Sequence, residues 1–235
     1  MEFDYIIIGA GSAGCVVANR ITSVDGNKVL LLEAGPKNTA LSLKIPAAIL
    51  SNLTSTKHNW AFQGEPEPEL NDRTLKHDRG KTLGGSSSIN GLVFIRGHAL
   101  DFDGWQQAGC TGWGFADVLP YFKKMETYEG GTDEYRGRDG PLHVHRSIPE
   151  DPLSVAFLRA GKEAGYPETN DISGYRQEGF GGFDRTVFKG ERWSTARAYL
   201  DPIRHRQNLT VQTNTQVQRL IFEGTRATSV IYKDK

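Results

Sequence analysis

Three glycines and one glutamate carry the densest chemical signal in this chain. Gly9, Gly11 and Gly14 stand at G-x-G-x-x-G spacing in the run Ile8-Gly9-Ala10-Gly11-Ser12-Ala13-Gly14. Such spacing suits a diphosphate: the first glycine allows a tight turn, the second lets backbone approach the pyrophosphate, and the third lets a helix pack closely on a strand. Glu33 follows about 20 residues after Gly14, where an acidic side chain accepts hydrogen bonds from a ribose. A carboxylate there opposes a 2′-phosphate, because like charges would meet. FAD and NAD both remain compatible with these residues.

Those groups need a particular set of elements around them. Tyr5-Ile6-Ile7-Ile8 is apolar and rich in β-branched residues, and reads as a buried strand. Val16, Val17 and Ile21 continue at helical spacing after the glycines, with small residues on the near face. Val29-Leu30-Leu31-Leu32 is a second apolar strand, and it ends in Glu33. The helix start would offer unpaired N–H groups and a positive dipole end to phosphates. An ordinary strand–turn–helix with incidental glycines is the plainer alternative, and the full strand–loop–helix–strand–acid context argues against it.

Residues 79–103 form a second informative stretch. Gly84-Gly85-Ser86-Ser87-Ser88 joins two glycines to three hydroxyls. A segment of this kind either links flexibly or places successive backbone N–H groups against a negatively polarised atom. The apolar run Ile89-Asn90-Gly91-Leu92-Val93-Phe94-Ile95 follows at once and should be buried, which favours a rigid ligand-hugging turn.

The remaining chain is less specific. Its 235 residues suffice for one large domain or two small ones, and 37% hydrophobic content permits a core. Lys+Arg and Asp+Glu both number 28, so net charge gives no case for nucleic acid or an anionic membrane. No apolar run reaches transmembrane length, and with a strand expected from residue 5 no leader peptide is expected. Cys15 and Cys110 suggest a reducing compartment without a disulfide, Cys15 as a small core residue. Residues 36–78, broken by four prolines, read as a long excursion with little regular structure beyond a short helix near residues 41–53. Trp60 within it either walls a cofactor or cationic substrate or, more simply, pins the loop to the body.

Residues 105–128 read as a turn and then a helix, with Leu119, Phe122 and Met125 at core spacing. Residues 130–140 form a charged glycine-rich loop. His143 and His145 share one face of a short strand, but a metal pair there is disfavoured, and no metal is expected. A helix is expected over residues 152–165, a strand and short helix over 179–200, and strands at 209–213, 217–222 and 227–232.

The signature residues carry a family resemblance. Gly80, Lys81, Leu83, Gly84, Gly85, Ser86, Ser87, Ile89, Asn90, Phe94, Gly97 and Asp103 fill the signature of the glucose–methanol–choline (GMC) oxidoreductases without a departure. GAGSAG from Gly9, LLEAG from Leu31 and WAFQGEPEP from Trp60 have the same look. The chain resembles the N-terminal part of this FAD-binding family, and within it is most similar to choline dehydrogenase-like alcohol dehydrogenases and oxidases.

The resemblance implies an α/β fold: a Rossmann-like FAD-binding domain with part of an α+β substrate domain. The implied division is a FAD-binding domain over residues 1–150, with the 36–78 excursion as a lid and 79–103 against the flavin. A partial substrate domain would occupy 151–208, and strands over 209–235 would return to the FAD domain. Gly9, Gly11, Ser12, Ala13 and Gly14 would hold the FAD pyrophosphate. Glu33 would hold the adenosine ribose, with Ala34 and Gly35 lining that end and the main chain of Val217 touching adenine. Thr82, Gly85, Asn90, Gly91, Leu92 and Val93 would run past the isoalloxazine ring. Some members link FAD covalently through a histidine next to the asparagine; Ile89 stands there, so dissociable FAD is expected.

The implied activity is oxidation of the CH–OH group of a choline-like, aliphatic or aromatic alcohol, with hydride passing to flavin N5. Oxygen or another acceptor would reoxidise the flavin. The catalytic histidine of the family is expected beyond residue 235, and none of His58, His77, His98, His143, His145 or His205 matches its motif. The chain would then supply the FAD cradle and need the remaining C-terminal part or a partner chain. A non-catalytic nucleotide-binding fragment and a cyanohydrin lyase with structural FAD are the competing readings. The expected location is the cytoplasm, with peripheral membrane association as the alternative.

Overall fold

The computed structural model describes residues 2–130 and 134–234. The chain divides into two compact units, Met1–Gly91 with Gly190–Lys235, and Leu92–Lys189.

The first unit opens with β1 (Tyr5–Ile8), α1 (Ser12–Ile21) and β2 (Val29–Leu32). β1 and β2 run parallel, in register from Tyr5 opposite Val29 to Ile8 opposite Leu32. All four β2 residues are buried. β1 is not the buried strand expected: Tyr5, Ile6 and Ile8 are 46%, 37% and 50% exposed. It lies at the edge of its sheet, and an edge strand lacks the second neighbour that buries a parallel strand on every side.

Prolines shape the excursion that follows. Two 3-10 turns, Leu41–Leu43 and Pro46–Ala48, precede the five-residue helix α2 (Ile49–Leu53) in place of one continuous helix. Pro46 starts the second turn, where its missing N–H costs nothing. The excursion is more regular than its composition suggests. β3 (Phe62–Glu67) and β4 (Arg73–His77) pair as an antiparallel hairpin. Asn71 and Asp72 both take positive φ at its tip, a conformation those residues tolerate. Pro66 lies beside the break in register after Gln63, where a lost ladder donor does least harm.

The second unit begins at β5 (Val93–Phe94), followed by α3 (Ala99–Gln107) and α4 (Phe115–Met125). α3 lies partly where a turn was expected. His98 and Asp101 start it: Leu100 N donates to His98 Nδ1, and His98 N donates to Asp101 Oδ2. Phe102 packs edge-on against Trp105 and Phe122, joining α3 to α4. β6 (Glu126–Tyr128) and β7 (Leu142–Val144) pair in parallel, and α5 (Pro152–Glu163) is capped by Asp151. β8 (Asp184–Arg185) pairs with β5, and β9 (Val187–Phe188) ends the unit. Of the run 89–95, Ile89 and Leu92 are buried, but Val93 and Ile95 are about half exposed.

This unit buries an ionic cluster beside Leu142, Val144 and Ile172. Glu126 Oε1 accepts from Arg96 Nη2 at 2.6 Å, Arg136 Nε at 3.0 Å and Gly137 N at 2.8 Å. Arg136 Nη1 donates to Asp171 and Asp184, and its guanidinium lies over the Tyr128 ring at 3.4 Å.

The chain then returns to the first unit through β10 (Glu191–Arg192), a π-helical turn at Ala196–Leu200 and a 3-10 turn at Asp201–Ile203. The buried face of α1, Cys15 and Ala18, packs against Ala196–Leu200, and Asn19 Nδ2 donates to Tyr199 O. β11 (Leu209–Gln212) adds a third parallel strand beside β2, giving the order β1-β2-β11. β12 (Thr215–Glu223) and β13 (Arg226–Asp234) form a final antiparallel hairpin. No helix among the described residues is long and apolar enough to cross a membrane.

Candidate functional site

The glycine loop adopts the geometry its spacing predicts. Gly9 takes φ +90, which only glycine adopts freely. An added Cβ at Gly14 would lie 2.0 Å from Gly9 O, so the third glycine is required by close helix–strand packing. Gly11 is the opposite case, since an added Cβ there meets nothing within 4 Å. Gly11 is also the N-cap of α1, and no side chain caps that helix or places an acid in its first turn. Ser12 and Ala13 are exposed at this end. The open space at Gly11 thus adjoins uncapped N–H groups, a surface that could take a diphosphate.

Glu33 sits at the end of β2, 5% exposed. Its Oε2 accepts from Ala10 N at 2.9 Å and its Oε1 from Gly35 N at 2.8 Å. Burial raises its carboxyl above the ordinary range, opposed by the Gly35 and Ala10 N–H groups and by Lys81. The carboxylate therefore braces the glycine loop, and each oxygen keeps a second lone pair that a ribose hydroxyl could use. Thr215 N donates to Glu33 O, which ties β12, and with it Val217, to this end of the sheet.

The 80–91 segment is laced onto the same loop. Gly84 N donates to Ala10 O at 2.7 Å, and Thr82 Oγ1 donates to Pro36 O at 2.9 Å. An added Cβ at Gly85 would approach Gly11 Cα to 2.7 Å, and one at Gly35 would strike Lys81 O. This is a rigid turn and not a linker: residues Gly85–Ser88 form a 3-10 turn, and Ser87 Oγ bonds both Gly84 O and Thr195. The structure thus gathers Gly9, Gly11, Ser12, Ala13, Gly14, Glu33, Ala34, Gly35, Thr82 and Gly85 around one loop. Asn90 and Gly91 continue from it and are exposed. Leu92 and Val93 belong to the other unit, where Leu92 takes φ 69 and its carbonyl accepts from Thr186 N.

The other candidates make contacts of their own. Trp60 stacks on Phe62, and Lys81 Nζ lies over its ring at 4.2 Å. His143 stacks on Phe188 at 3.7 Å, and His145 Nδ1 meets Glu129 Oε2 at 2.5 Å. Cys15 is fully buried, its Sγ donates to Ala10 O, and burial pushes its thiol up to about 12.

One residue beside the turn was not singled out from sequence. Arg192, wholly buried, reaches Asn90 and Ser87 through Nη1. A charged residue in the stretch Glu191-Arg192-Trp193 carries no local pattern, so only the folded chain reveals it.

With this geometry in place, comparison with known proteins gives concordant matches. A family model described as GMC oxidoreductase matches residues 3–235. The chain is 50% identical to a protein named choline dehydrogenase, mitochondrial, from Mus musculus, over 98% of this chain and 40% of the relative. It is 48% identical to an oxygen-dependent choline dehydrogenase from Sinorhizobium fredii, over 98% of this chain and 42% of the relative. The chain thus spans about two fifths of the length of the curated relatives it matches. Among solved structures, pyridoxine 4-oxidase from Mesorbium loti is similar with a TM-score of 0.94 and 32% identity, over 100% of this chain and 46% of that one. A FAD-dependent oxidoreductase from Chaetomium thermophilum follows at TM-score 0.90 and 28% identity, over 99% of this chain and 42% of that one.

Proposed function

The chain belongs to the GMC oxidoreductase family, and from that premise we propose that its protein is a FAD-dependent alcohol oxidoreductase of the choline dehydrogenase type. In this reading the chain supplies the cofactor cradle. The observation that carries it is the docking of the 80–91 turn on the glycine loop, with Gly85 against Gly11 and open space left at Gly11. The relatives' names support a choline-like alcohol as substrate.

Bound FAD would supply the two-electron redox chemistry of CH–OH oxidation. The chain's own residues bind and orient. Gly11, Ser12, Ala13 and Gly14 would present the α1 N-terminus to the pyrophosphate, and Gly9 and Gly14 hold that loop in shape. Glu33 would accept from the ribose, beside Ala34, Gly35 and Val217. Thr82, Gly85, Asn90 and Gly91 would line the flavin end. A general-base histidine is expected from the remainder of the protein. Ile89 is buried and offers no nucleophile, which favours dissociable FAD.

The test is purification of the full-length protein. The expected result is a flavin absorbance band that bleaches anaerobically with an alcohol such as choline, and flavin wholly in the supernatant after acid precipitation. A colourless protein indifferent to added FAD would overturn the reading. Flavin retained in the acid pellet would overturn the non-covalent part alone.

A further inference from the structure

Arg192 is fully buried, yet one nitrogen makes all of its side-chain hydrogen bonds. Nη1 donates to Asn90 O at 2.8 Å, Asn90 Oδ1 at 2.9 Å and, more weakly, Ser87 O at 3.4 Å. Among the described residues, Nε and Nη2 have no hydrogen-bond partner. Burial alone, with no carboxylate contribution, pulls the guanidinium down to about 10, so it stays charged at neutral pH. A buried cation with no carboxylate paired to it among the described residues, and with two donors unused there, is expensive to keep. Volume alone does not account for it, since burying a guanidinium costs more than burying an apolar side chain.

What the guanidinium accomplishes is local and specific. A guanidinium can only donate, so the Asn90 atom facing it is the carboxamide oxygen, and Nδ2 is turned away. One donor group grips the main-chain and side-chain oxygens of the same residue, which restrains both the peptide plane and the rotamer of Asn90. The contact to Ser87 O extends the restraint into the turn that Thr195 also holds, through Thr195 N to Ser87 Oγ at 3.0 Å. Arg192 is itself anchored at both sides: its N donates to Lys44 O, and its O accepts from Arg197 Nη1.

We propose that Arg192 is a positioning residue of the cofactor cradle, fixing the Asn90 carboxamide with its oxygen inward and its nitrogen outward and so setting the 84–91 turn against the bound cofactor. The proposal rests on the FAD reading above. Arg192 acts through Asn90 and is not itself a catalytic residue.

The experiment uses the full-length protein and three variants: Arg192→Met, Arg192→Lys and Asn90→Ala. The readouts are the FAD dissociation constant of the apoprotein, the visible circular dichroism of bound flavin, and the thermal midpoint of the apoprotein. Arg192→Met should weaken FAD binding by about tenfold or more and change the flavin dichroism. Asn90→Ala should reproduce that dichroism change. Arg192→Lys should fall between, because an ammonium keeps the charge but lacks the planar fork. The Arg192→Met, Asn90→Ala double variant should bind FAD no more than about threefold worse than the weaker single variant, as expected for two residues acting through one contact. Wild-type flavin affinity and dichroism in Arg192→Met would overturn the proposal. So would a lowered thermal midpoint with unchanged dichroism, the signature of a purely structural role. Should Arg192→Met fail to fold, Asn90→Ala and Arg192→Lys decide, and unchanged dichroism in both overturns it. A wild-type apoprotein that takes up no FAD would instead overturn the cofactor reading, and this inference with it.

Discussion

Ala10 donates its backbone N–H to Oε2 of Glu33 at 2.9 Å, so the first residue after β2 holds the turn after β1. The other oxygen, Oε1, accepts from Gly35 N at 2.8 Å. Two donors are thus served by one carboxylate, inside a site almost closed to water. Glutamine has a single acceptor end, and its NH2 would face the second donor. Glu33→Gln should therefore lose about 1–3 kcal/mol of unfolding free energy even without cofactor, as expected for a buried donor left unmet. Urea unfolding of the apoprotein measures it. An unchanged midpoint would mean that the loop is held by its glycines alone, and that Glu33 is kept only for the ribose.

Gly11 and Gly14 should separate binding from folding. A side chain at Gly11 enters open space on an extended backbone at φ −75, so Gly11→Val should fold with a wild-type apoprotein melting midpoint. It should bind no FAD, because the side chain occupies the place proposed for the pyrophosphate. Gly14→Ala instead drives a methyl group to 2.0 Å from Gly9 O and should fail to fold or melt far lower. The paired measurement is a thermal melt and a flavin titration. Full flavin content in Gly11→Val would remove the pyrophosphate from this loop.

How far the sequence reached follows from which signals are local. β1, α1, β2 and the Gly84–Gly85 turn were legible because glycine spacing and apolar runs lie within a few residues of each other. α4 and α5 were legible through helical periodicity, and β11 through its alternation. The edge exposure of Ile6 and Ile8 was not, since a strand's apolar content does not say how many neighbours it has. α3 escaped because Asp101, Asp103 and Gly104 interrupt its apolar stripe. The β3–β4 hairpin hid behind Pro66 and Pro68, which argue against strand until the register break is seen. Arg192 with Asn90, and Arg136 with Asp184, join residues far apart in sequence, and no one-dimensional pattern marks such pairs.

The two cysteines should differ sharply in reactivity. Cys110 is exposed and Cys15 buried. Burial is the largest influence on Cys15 and pushes its thiol up to about 12. At pH 8 its thiolate fraction is then on the order of 10⁻⁴, and the thiolate is the nucleophile. Native alkylation followed by peptide mass mapping should label Cys110 and spare Cys15 up to at least pH 9, with both labelled after denaturation. Comparable labelling of Cys15 in the native protein would show that the α1 packing against Ala196–Leu200 opens readily.

Arg136 offers the most exacting test of the second unit, because it is the hub of a buried cluster of charged side chains. Glu126, Asp171 and Asp184 face Arg136 and Arg96. Burial raises the Glu126 and Asp184 carboxyls, and Arg136 is the strongest influence pulling each of them back down. Removing the arginine takes the largest compensating charge from both carboxyls, so Arg136→Met should cost about 3–5 kcal/mol at neutral pH. The sign of its pH dependence is fixed. A carboxyl raised in the folded state contributes stability that is complete below its unfolded value and lost as pH rises through the folded value. In Arg136→Met both carboxyls rise further, so the variant binds more protons when folded than the wild type does. Its stability deficit should therefore be smallest near pH 4–5 and widen towards pH 7. Urea unfolding of wild type and variant at both ends of that range measures the gap. A deficit that stays constant, or widens towards acid, would show that Arg136 stabilises the unit by packing on Tyr128 rather than by its charge.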